Sequence, residues 1–429
     1  MATKEARARS NEQDAGRDHL CAIDVGASKV ACLIVKRDEG DPARLVAVGA
    51  GREATRGLKN GVVTDLEALE RTLRLALEQA ERSAGAQMES AVLTVSGCGL
   101  AEAELSAQRP VETETITPAL VRETLAEARS TFDRDGATLL HGALRDYQID
   151  GEDGVRDPRG LRAKTIGVRL CAISANAASL ENIKECVKRI GLEVEAVAAA
   201  PFVAAEQALL EEEREHGVIA IEMGANFTTA LLYVDGGLAA FETLPVGGAH
   251  VTSDMAHGLQ ATEAVAERLK LSTVDLSLDA QAASETIDAP KIGDDGRLEA
   301  AQVALGDLVS YAGPRVDETL QLLGERLLNR ASAKRARRVV LLGGAARLKG
   351  LKALTEDVYG LPVRIAGPPK AAGLSDAAVK GGFAASYGAL TYRVKAAPDA
   401  LSLRAKASND GPDEPGALPK LWRWFIQNV

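Results

Sequence analysis

Two short motifs, far apart in the chain, share one pattern: an apolar strand runs into an acidic residue, and a glycine follows two positions later. The first is Ile23-Asp24-Val25-Gly26 and the second is Ile221-Glu222-Met223-Gly224. Each is followed by two further short apolar runs, which together predict a three-stranded meander. Because a repeated order of elements indicates repeated structure, the pattern predicts two related α/β lobes.

The two motifs also indicate phosphate chemistry. A glycine lets backbone amides approach phosphate oxygens closely, and an acid can hold Mg²⁺ through water. Ser28 and Lys29 add a hydroxyl and an ammonium group to the first turn. One such motif occurs by chance in many α/β proteins, whereas two in matching positions of a repeat are more specific.

A third element, at 339–351, reads as a buried strand, a glycine pair and a helix. Backbone exposed at Gly343 and Gly344 would allow an adenosine to lie flat against the turn. The alternative is an ordinary turn between a strand and a helix.

Composition and charge exclude some classes of function. The chain of 429 residues carries a net charge of -10, which argues against a protein that binds duplex nucleic acid. Its five cysteines show no CxxC pair and are expected to be buried, reduced thiols. The opening residues do not resemble a signal peptide, and no uncharged apolar run approaches the roughly 20 residues that cross a bilayer. These observations predict a cytoplasmic protein.

The last twelve residues form an amphipathic pattern. One helical stripe is apolar, and it consists of Leu418, Leu421, Trp422, Phe425, Ile426 and Val429. Lys420 and Arg423 lie off this stripe, and Trp424 lies on its flank. The chain's two tryptophans are both here, after a linker at 396–416, which favours a helix that binds anionic lipid over one docked on the protein's own body.

The strength of this anchor can be bounded. Each apolar side chain contributes at most about 1.5–3 kcal/mol and is only partly buried, and ordering the helix opposes binding. One copy is therefore expected to bind a membrane marginally, whereas several copies in a filament would bind firmly.

The three motifs, in this order, resemble the phosphate-1, phosphate-2 and adenosine motifs of the actin/Hsp70/sugar-kinase superfamily. More narrowly, the chain from about 20 to 395 resembles the FtsA family of bacterial cell-division proteins. The segments that carry this narrower resemblance are Val95-Ser-Gly, Tyr147-Gln-Ile-Asp-Gly, Asp157-Pro-Arg-Gly-Leu, Leu244-Pro-Val-Gly-Gly-Ala-His-Val-Thr-Ser-Asp-Met-Ala, Ala266-Glu-Arg-Leu-Lys and Pro314-Arg-Val-Asp-Glu.

The resemblance implies an α/β, actin-like two-lobed ATPase fold with an inserted small subdomain and a C-terminal amphipathic helix. The expected units are a disordered arm at 1–17, a first lobe at 18–89 and 169–203, an insertion at 90–168, a second lobe at 204–251 and 313–395, a small subdomain of that lobe at 252–312, a linker at 396–416 and a membrane-targeting helix at 417–429.

The resemblance also implies ATP and Mg²⁺ as ligands. The expected nucleotide contacts are Asp24, Gly26, Ala27, Ser28, Lys29, Glu222, Gly224, Ala225, Asn226, Glu267, Lys270, Gly343, Gly344, Ala345 and Arg347. Asp24 and Glu222 would hold the metal through water. Glu267 and Lys270 would lie near the ribose and adenine, and the alternative for them is a surface ion pair.

Several residues depart from the family pattern. In the family the second motif begins with Asp and continues with two or three glycines and then Thr-Thr, whereas here it has Glu222, Ala225, Asn226 and Phe227. A longer acid shifts the metal geometry, and side chains at 225–227 are expected to hold the backbone off the phosphate. Ala200 stands where several superfamily ATPases carry a Glu that orients the attacking water. No catalytic residue is identified, so ATP binding with weak or absent hydrolysis is predicted.

The leading hypothesis is an actin-like, ATP-binding peripheral membrane protein. It would polymerise on the cytoplasmic face of the inner membrane at the division site and tether the FtsZ ring. Its partners would be the FtsZ C-terminal peptide, docked at about 252–312, further copies of itself, anionic membrane lipid and other division proteins, but no nucleic acid. The alternatives are an active phosphotransferase or ATPase such as a sugar kinase, and a pilus-assembly relative of the same fold.

Overall fold

A computed structural model describes residues 19–395, apart from 39, 42–43, 294, 329, 368–371 and 374–381. The expected arm at 1–17, linker at 396–416 and terminal helix at 417–429 lie outside the described residues.

The described elements are numbered along the chain. The strands are β1 His19–Val25, β2 Lys29–Arg37, β3 Leu45–Ala54, β4 Leu58–Lys59, β5 Val62–Val63, β6 Ser90–Val95, β7 Ala101–Pro110, β8 Ala137–Ile149, β9 Glu152–Val155, β10 Thr165–Asn176, β11 Glu193–Ala199, β12 Val218–Met223, β13 Thr228–Val234, β14 Gly237–Leu244, β15 Thr286–Asp288, β16 Lys291–Ile292, β17 Leu298–Glu299, β18 Gln302–Ala304, β19 Arg338–Leu342 and β20 Val363–Ile365. The α-helices are α1 Leu66–Ala84, α2 Pro118–Ser130, α3 Ala177–Arg189, α4 Ala200–Ala208, α5 Glu211–His216, α6 Gly248–Leu259, α7 Glu263–Ser272, α8 Leu305–Leu328, α9 Leu351–Tyr359 and α10 Ala384–Lys395.

Two five-stranded sheets have the same topology. The first runs β3-β2-β1-β6-β11 and the second runs β14-β13-β12-β19-β20. In each sheet the first three strands along the chain pair antiparallel, and the last two join parallel to the first strand and to each other. The predicted pair of related α/β lobes is therefore confirmed.

Helix α1 shows how local sequence sets the boundaries of an element. The Asp65 side chain accepts a hydrogen bond from the Ala68 amide and caps the N-terminus, as Asp commonly does. Gly85, at φ 66°, ends the helix in the left-handed conformation that glycine adopts without strain. Between them, Leu69 and Leu73 are buried on the face that packs against β3. The sequence pattern predicted this helix between the same two residues.

The insertion forms a sheet of its own, in the order β7-β10-β8-β9, with α2 packed on β7 and β10. Its core includes Ile116, Val168 and Leu170. The insertion was expected at 90–168, and both bounds are wrong. Strand β6 pairs with β1 and β11 in the first sheet, and β10 extends to Asn176. Ala91, Val92, Leu93 and Val95 of β6 lie in the core of the first lobe, which is why this strand belongs to that lobe.

The insertion also contacts the second lobe. Strands β7, β8 and β10 lie against β14, the edge strand of the second sheet. The Phe241 amide on that edge donates to Glu102 Oε2 over 2.6 Å. Arg330 joins the two units, since it donates to Glu102 over 2.8 Å and to Glu242 over 2.6 Å. The insertion, which interrupts the sequence of the first lobe, therefore covers the edge strand β14 of the second lobe.

Two helices connect the lobes. Helix α4 follows β11 of the first sheet and packs on β12, β13 and β19 of the second, while α10 packs on β1, β2 and β6. The two helices pack against each other. His141 of the insertion is fully buried beside them, with ring centroids 4.5 Å from Phe202 and 5.9 Å from Tyr392. Among the described helices, none is both long and apolar enough to cross a membrane.

Candidate functional site

The first two motifs fold into matching turns. The Gly26 amide donates to the Lys29 carbonyl over 3.0 Å, and the Gly224 amide donates to the Phe227 carbonyl over 2.9 Å. Each turn joins the first two antiparallel strands of its sheet. The side chains at 225–227, which were expected to disturb the second loop, leave this hydrogen bond intact.

Glycine suits both turns because their backbone contacts are close. A Cβ on Gly26 would lie 3.0 Å from the Lys29 oxygen, and one on Gly224 would lie 3.1 Å from the Phe227 oxygen. A Cβ on Gly247 would lie 2.6 Å from the Gly224 oxygen. The second turn is thus packed closely against the start of helix α6.

Further hydrogen bonds support each turn. The Thr55 hydroxyl donates to the Gly26 carbonyl over 2.7 Å. On the second turn, the amides of Gly248 and Ala249 donate to the carbonyls of Gly224 and Ala225, over 2.9 and 2.7 Å. The first two amides of α6 are therefore engaged within the protein and support the loop.

Two carboxylates stand at the ends of β1 and β12. Asp24 is buried and accepts a hydrogen bond from the Thr94 hydroxyl over 2.8 Å. Burial raises the pKa of Asp24, and both the Thr94 hydrogen bond and the charge of Lys29 oppose that shift. Burial also raises the pKa of Glu222 to about 8; the charge of Asp24 raises it further, and Lys29 opposes the shift. The charge of Asp24 on the first lobe therefore acts on the ionisation of Glu222 on the second.

Cations surround these two acids. Burial lowers the pKa of Lys29, and the carboxylates of Asp24 and Glu222 counteract this. The charges of Arg52 and Arg347 lower the pKa of Lys29 further. The cleft thus brings three cations and two anions together, drawn from strands β1 to β3, strand β12 and the third motif.

The third turn lies against the second acid. Gly343 has φ 91°, and a Cβ there would lie 2.4 Å from the Met223 carbonyl oxygen and 2.7 Å from Glu222 Oε1. Only glycine combines this conformation with such close neighbours. A Cβ on Gly344 would meet no atom within 4 Å, so this backbone faces open space.

A cavity of about 240 Å³ opens beside this turn. Its walls include Gly344, Ala345, Arg347 and Lys270 from the expected set. The apolar part of the lining consists of Met223, Val251, Leu271, Val316 and Leu348. A small, mostly apolar slot next to a group of charges is typical of a ligand site that accepts a flat ring with a charged extension.

Lys270 and Glu267 form the ion pair that was the alternative for them, but its lysine is buried and only its glutamate is exposed. Lys270 Nζ donates to Glu267 over 2.6 Å, to the Thr252 hydroxyl over 2.7 Å and to the Gly248 carbonyl over 2.8 Å. The side chain of Lys270 is 9% exposed and that of Glu267 is 44% exposed. All three protons of the ammonium are engaged, so Lys270 stabilises the cavity wall and the start of α6.

The remaining residues that the sequence singled out differ in their exposure and in their contacts. Ser28 is exposed at the tip of the first turn, next to the half-buried Ala27. The Asn226 side chain donates to Asn60 of the first lobe over 2.9 Å. Ala200 begins α4 and is 4% exposed, so this position offers only a buried methyl group.

Sequence reasoning missed Arg52, Thr94, Gly247 and Gly248 as parts of the site. Thr94 is a polar residue within the apolar run of β6, which is a usable signal. The pair Gly247-Gly248 at a helix start is another, because such pairs often allow close backbone contacts. Arg52 near the end of β3 carries no local signal, since only the pairing of β3 with β2 brings it to the cleft.

Known proteins are similar to this chain over most of its length. Residues 219–388 match the family model described as cell division protein FtsA, and residues 100–174 match the one described as the SHS2 domain inserted in FtsA. The second match coincides with the insertion sheet. Cell division protein FtsA of Agrobacterium fabrum is 32% identical over 427 residues, which cover 96% of this chain and 95% of the relative. The Escherichia coli FtsA is 28% identical over 385 residues, with 88% and 90% coverage.

Solved structures share the fold at low identity. A chain of the PilM–PilN type IV pilus biogenesis complex has a TM-score of 0.61 and 17% identity, and the match covers 87% of this chain and 98% of that one. MreB5 of Spiroplasma citri, bound to ADP, has a TM-score of 0.53 and 14% identity, with 88% and 96% coverage. The predicted actin-like fold is confirmed.

Proposed function

This chain belongs to the FtsA family of cell division proteins, and we propose that it binds ATP with Mg²⁺ between its lobes, polymerises on the inner membrane and tethers the FtsZ ring there. The observation that carries the ATP part is the pair of matching turns around one group of charges. The charge of Asp24 raises the pKa of Glu222 across the cleft, and the charge of Lys29 opposes the upward shift of both acids.

The shape and charge of the cleft suit ATP. Turn amides and the cations Lys29 and Arg347 would meet the phosphates. The cavity beside Gly344 would take the adenosine, because open backbone there lets a flat ring approach closely. Lys270 is fully hydrogen-bonded, so its proposed role is to hold the cavity wall rather than to donate to the ribose or base.

The donor set also fits Mg²⁺. This cation prefers oxygen ligands and keeps several waters, so two carboxylates from opposite lobes would hold it through water. When bound, it would neutralise part of the phosphate charge. The side chain of Glu222 is accommodated over Gly343, where a Cβ would lie 2.7 Å from its Oε1. An acid one methylene longer than Asp is therefore compatible with the closely packed third turn.

Hydrolysis is proposed to be slow or absent. Ala200, at the start of α4, offers no group that could orient a water molecule, and losing such a group costs several powers of ten in rate. An active phosphotransferase would need an acid at a comparable place. The pilus-assembly alternative draws on a likeness of fold at 17% identity, whereas FtsA relatives reach 32%.

The membrane and partner parts of the proposal rest on family membership and on the sequence of the tail. Residues 418–429 would bind anionic lipid. The subdomain at 252–312, which contains most of α6, all of α7 and strands β15 to β18, would dock the FtsZ C-terminal peptide. Further copies of the chain and other division proteins complete the proposed partners.

ATP binding is tested by titrating the purified full-length chain with a fluorescent ATP analogue, with Mg²⁺ or with EDTA. We expect binding that Mg²⁺ strengthens, and a loss of about tenfold or more in that affinity for Asp24→Asn, which corresponds to at least about 1.4 kcal/mol. Asp295→Asn, an exposed acid in the β16–β17 turn, is the matched control and should bind as the parent does. No binding by a folded parent chain would contradict the ATP proposal.

Tethering is tested by sedimenting anionic vesicles with FtsZ and this chain. The full chain should bring FtsZ into the pellet, and a chain lacking 418–429 should leave it in solution. Equal recovery of FtsZ with both chains would contradict the role of the tail.

A further inference from the structure

Two side chains of the second turn contact the first lobe. Asn226 Nδ2 donates to Asn60 Oδ1 over 2.9 Å. The ring of Phe227 lies against Gly97, where a Cβ would stand 3.3 Å from the ring's Cε2 atom. These are two of the residues at which the second motif departs from the family pattern, so the departures place contacts between the lobes at the turn.

The first-lobe side of this contact is a closely packed platform, formed by Asn60-Gly61 and Gly97-Cys98. Asn60 and Gly61, at the tip of the β4–β5 hairpin, have φ of 51° and 78°. A Cβ on Gly61 would lie 2.2 Å from the Cys98 amide, and one on Gly97 would lie 2.6 Å from the Gly61 Cα. The Cys98 thiol donates to the Gly61 carbonyl over 3.3 Å. The hairpin tip therefore rests directly on the chain that follows β6.

The second-lobe side is supported as well. The turn is closed by the hydrogen bond from Gly224 to Phe227, and the Ala249 amide holds the Ala225 carbonyl over 2.7 Å. The Thr228 hydroxyl donates to the Val246 carbonyl over 2.7 Å. Asn226 and Phe227 thus extend from a supported loop onto a supported platform.

This contact lies on the turn that also carries Glu222 and Gly224, whereas the helices that connect the lobes, α4 and α10, form a separate contact. Separating the lobes at the phosphate end of the cleft requires the Asn60–Asn226 hydrogen bond and the Phe227–Gly97 contact to break. We propose that Asn226 and Phe227, with Asn60 and Gly97, form a latch that holds the phosphate end of the cleft closed and slows nucleotide exchange. The exchange part rests on the proposed ATP binding, and the closure part does not.

The strength of the latch is suited to reversible closure. A hydrogen bond between neutral groups makes a modest net contribution, and one aromatic contact adds a comparable amount. Removing the Asn226 amide is therefore expected to speed the release of a fluorescent ATP analogue about two- to tenfold. A cleft held by contacts of this strength still opens spontaneously, but it opens less often than a cleft that lacks them.

The first test measures release of the analogue from the full chain by stopped flow. Asn226→Ala and Asn60→Gly should each speed release, and the Gly retains the positive φ of position 60. Because both remove the same hydrogen bond, the double variant should be no faster than the quicker single one. Asn182→Ala, at an exposed position of α3, is the matched control and should leave release unchanged.

The second test needs no nucleotide. Spin labels on Glu67→Cys in α1 and Glu263→Cys in α7 report the separation of the lobes, and both sites are exposed while all five native cysteines are buried. Asn226→Ala and Phe227→Ala should broaden the distance distribution towards longer values, with Asn182→Ala unchanged. Asn60→Gly, on the opposite lobe, should do the same and guards against a folding defect in Phe227→Ala.

The two tests separate the proposals. A parent chain that binds no analogue, combined with a broadened distribution in the latch variants, would overturn ATP binding and support the latch. Unchanged distance distributions in all latch variants would overturn the latch, whatever the release rates.

Discussion

Gly388 of helix α10 lies directly against the carbonyl group of Val203 in helix α4. A Cβ on Gly388 would stand 2.2 Å from the Val203 oxygen and 2.7 Å from its carbonyl carbon. The two helices that connect the lobes therefore approach each other backbone to backbone at this point. Such an approach is possible only because glycine has no side chain.

Replacing this glycine is expected to destabilise the fold. Gly388→Ala should lower the free energy of unfolding by about 1–3 kcal/mol, because the methyl group forces α4 and α10 apart. Urea unfolding followed by circular dichroism measures this. Gly324→Ala in α8 is the matched control, since a Cβ there would meet its nearest atom at 3.7 Å. The control should be neutral or slightly stabilising, and equal losses in both variants would contradict the close crossing.

His141 should make the fold sensitive to acid. Burial lowers the pKa of His141 to about 3 from 6.5, so between these values the unfolded chain binds a proton that the folded chain does not. Stability therefore falls as the pH drops through this window. The Ala199 amide donates to Nε2 over 2.9 Å, which places the proton of the neutral ring on Nδ1.

The measurement compares the parent chain with His141→Gln, whose side-chain oxygen can still accept from Ala199. Between about pH 4 and 6 the parent should lose up to about 1.4 kcal/mol per pH unit more than the variant. Parallel stability curves for the two chains would show that His141 titrates normally.

Glu222 should act in the opposite direction. Its pKa is raised to about 8 from 4.5, so the folded chain without metal holds a proton that the unfolded chain has released between these values. The contribution of Glu222 is then fully favourable below about pH 4.5 and is lost as the pH rises through 8. The raised pKa of Asp24 acts in the same direction.

Thermal unfolding in EDTA at several pH values tests this. Glu222→Gln should be more stable than the parent at pH 8.5 and should lose that advantage at pH 5. Adding Mg²⁺ and ATP should stabilise the parent more than the variant at pH 8.5, because only the parent has a carboxylate at position 222 beside that of Asp24. If the difference between the two chains in EDTA does not change with pH, Glu222 does not titrate in this window.

The tail carries its own reporters, because both tryptophans lie at 422 and 424. Tryptophan emission should shift to shorter wavelength when anionic vesicles are added, and neutral vesicles should give a smaller shift. A variant that cannot polymerise should show much weaker vesicle binding despite an intact tail. An unchanged spectrum with anionic vesicles would remove the membrane role, and equal binding by both chains would remove the link to polymerisation.

Local sequence predicted those features that depend on neighbouring residues. Asp65 and Gly85 mark the ends of α1, and the acid–x–glycine pattern marks both turns, because caps and turns are set within a few positions. The order of the apolar runs predicted the repeated lobes, because each lobe uses the same meander. Family resemblance predicted the insertion, which the structure contains, and the nucleotide contacts, which stay predictions.

The rest depends on contacts that leave no local pattern. Asn60 and Asn226 are 166 positions apart, and the sequence around each of them gives no indication that their side chains meet. Asn226 and Phe227 were therefore interpreted as obstacles to phosphate rather than as contacts between lobes. Lys270 was expected to face a ligand, whereas the Gly248 carbonyl and the Thr252 hydroxyl, set by the packing of α6 on α7, occupy its protons.

The cover that the insertion places over β14 has a consequence for synthesis. An uncovered edge strand can pair with a strand of another chain, and here Glu102 occupies the Phe241 amide on that edge. The insertion, at 101–176, leaves the ribosome before β14 at 237–244. The insertion is therefore synthesised before the edge strand that it covers. A circular permutation that moved the insertion to the end of the chain would leave β14 uncovered during synthesis, and nascent chains could then pair through this edge.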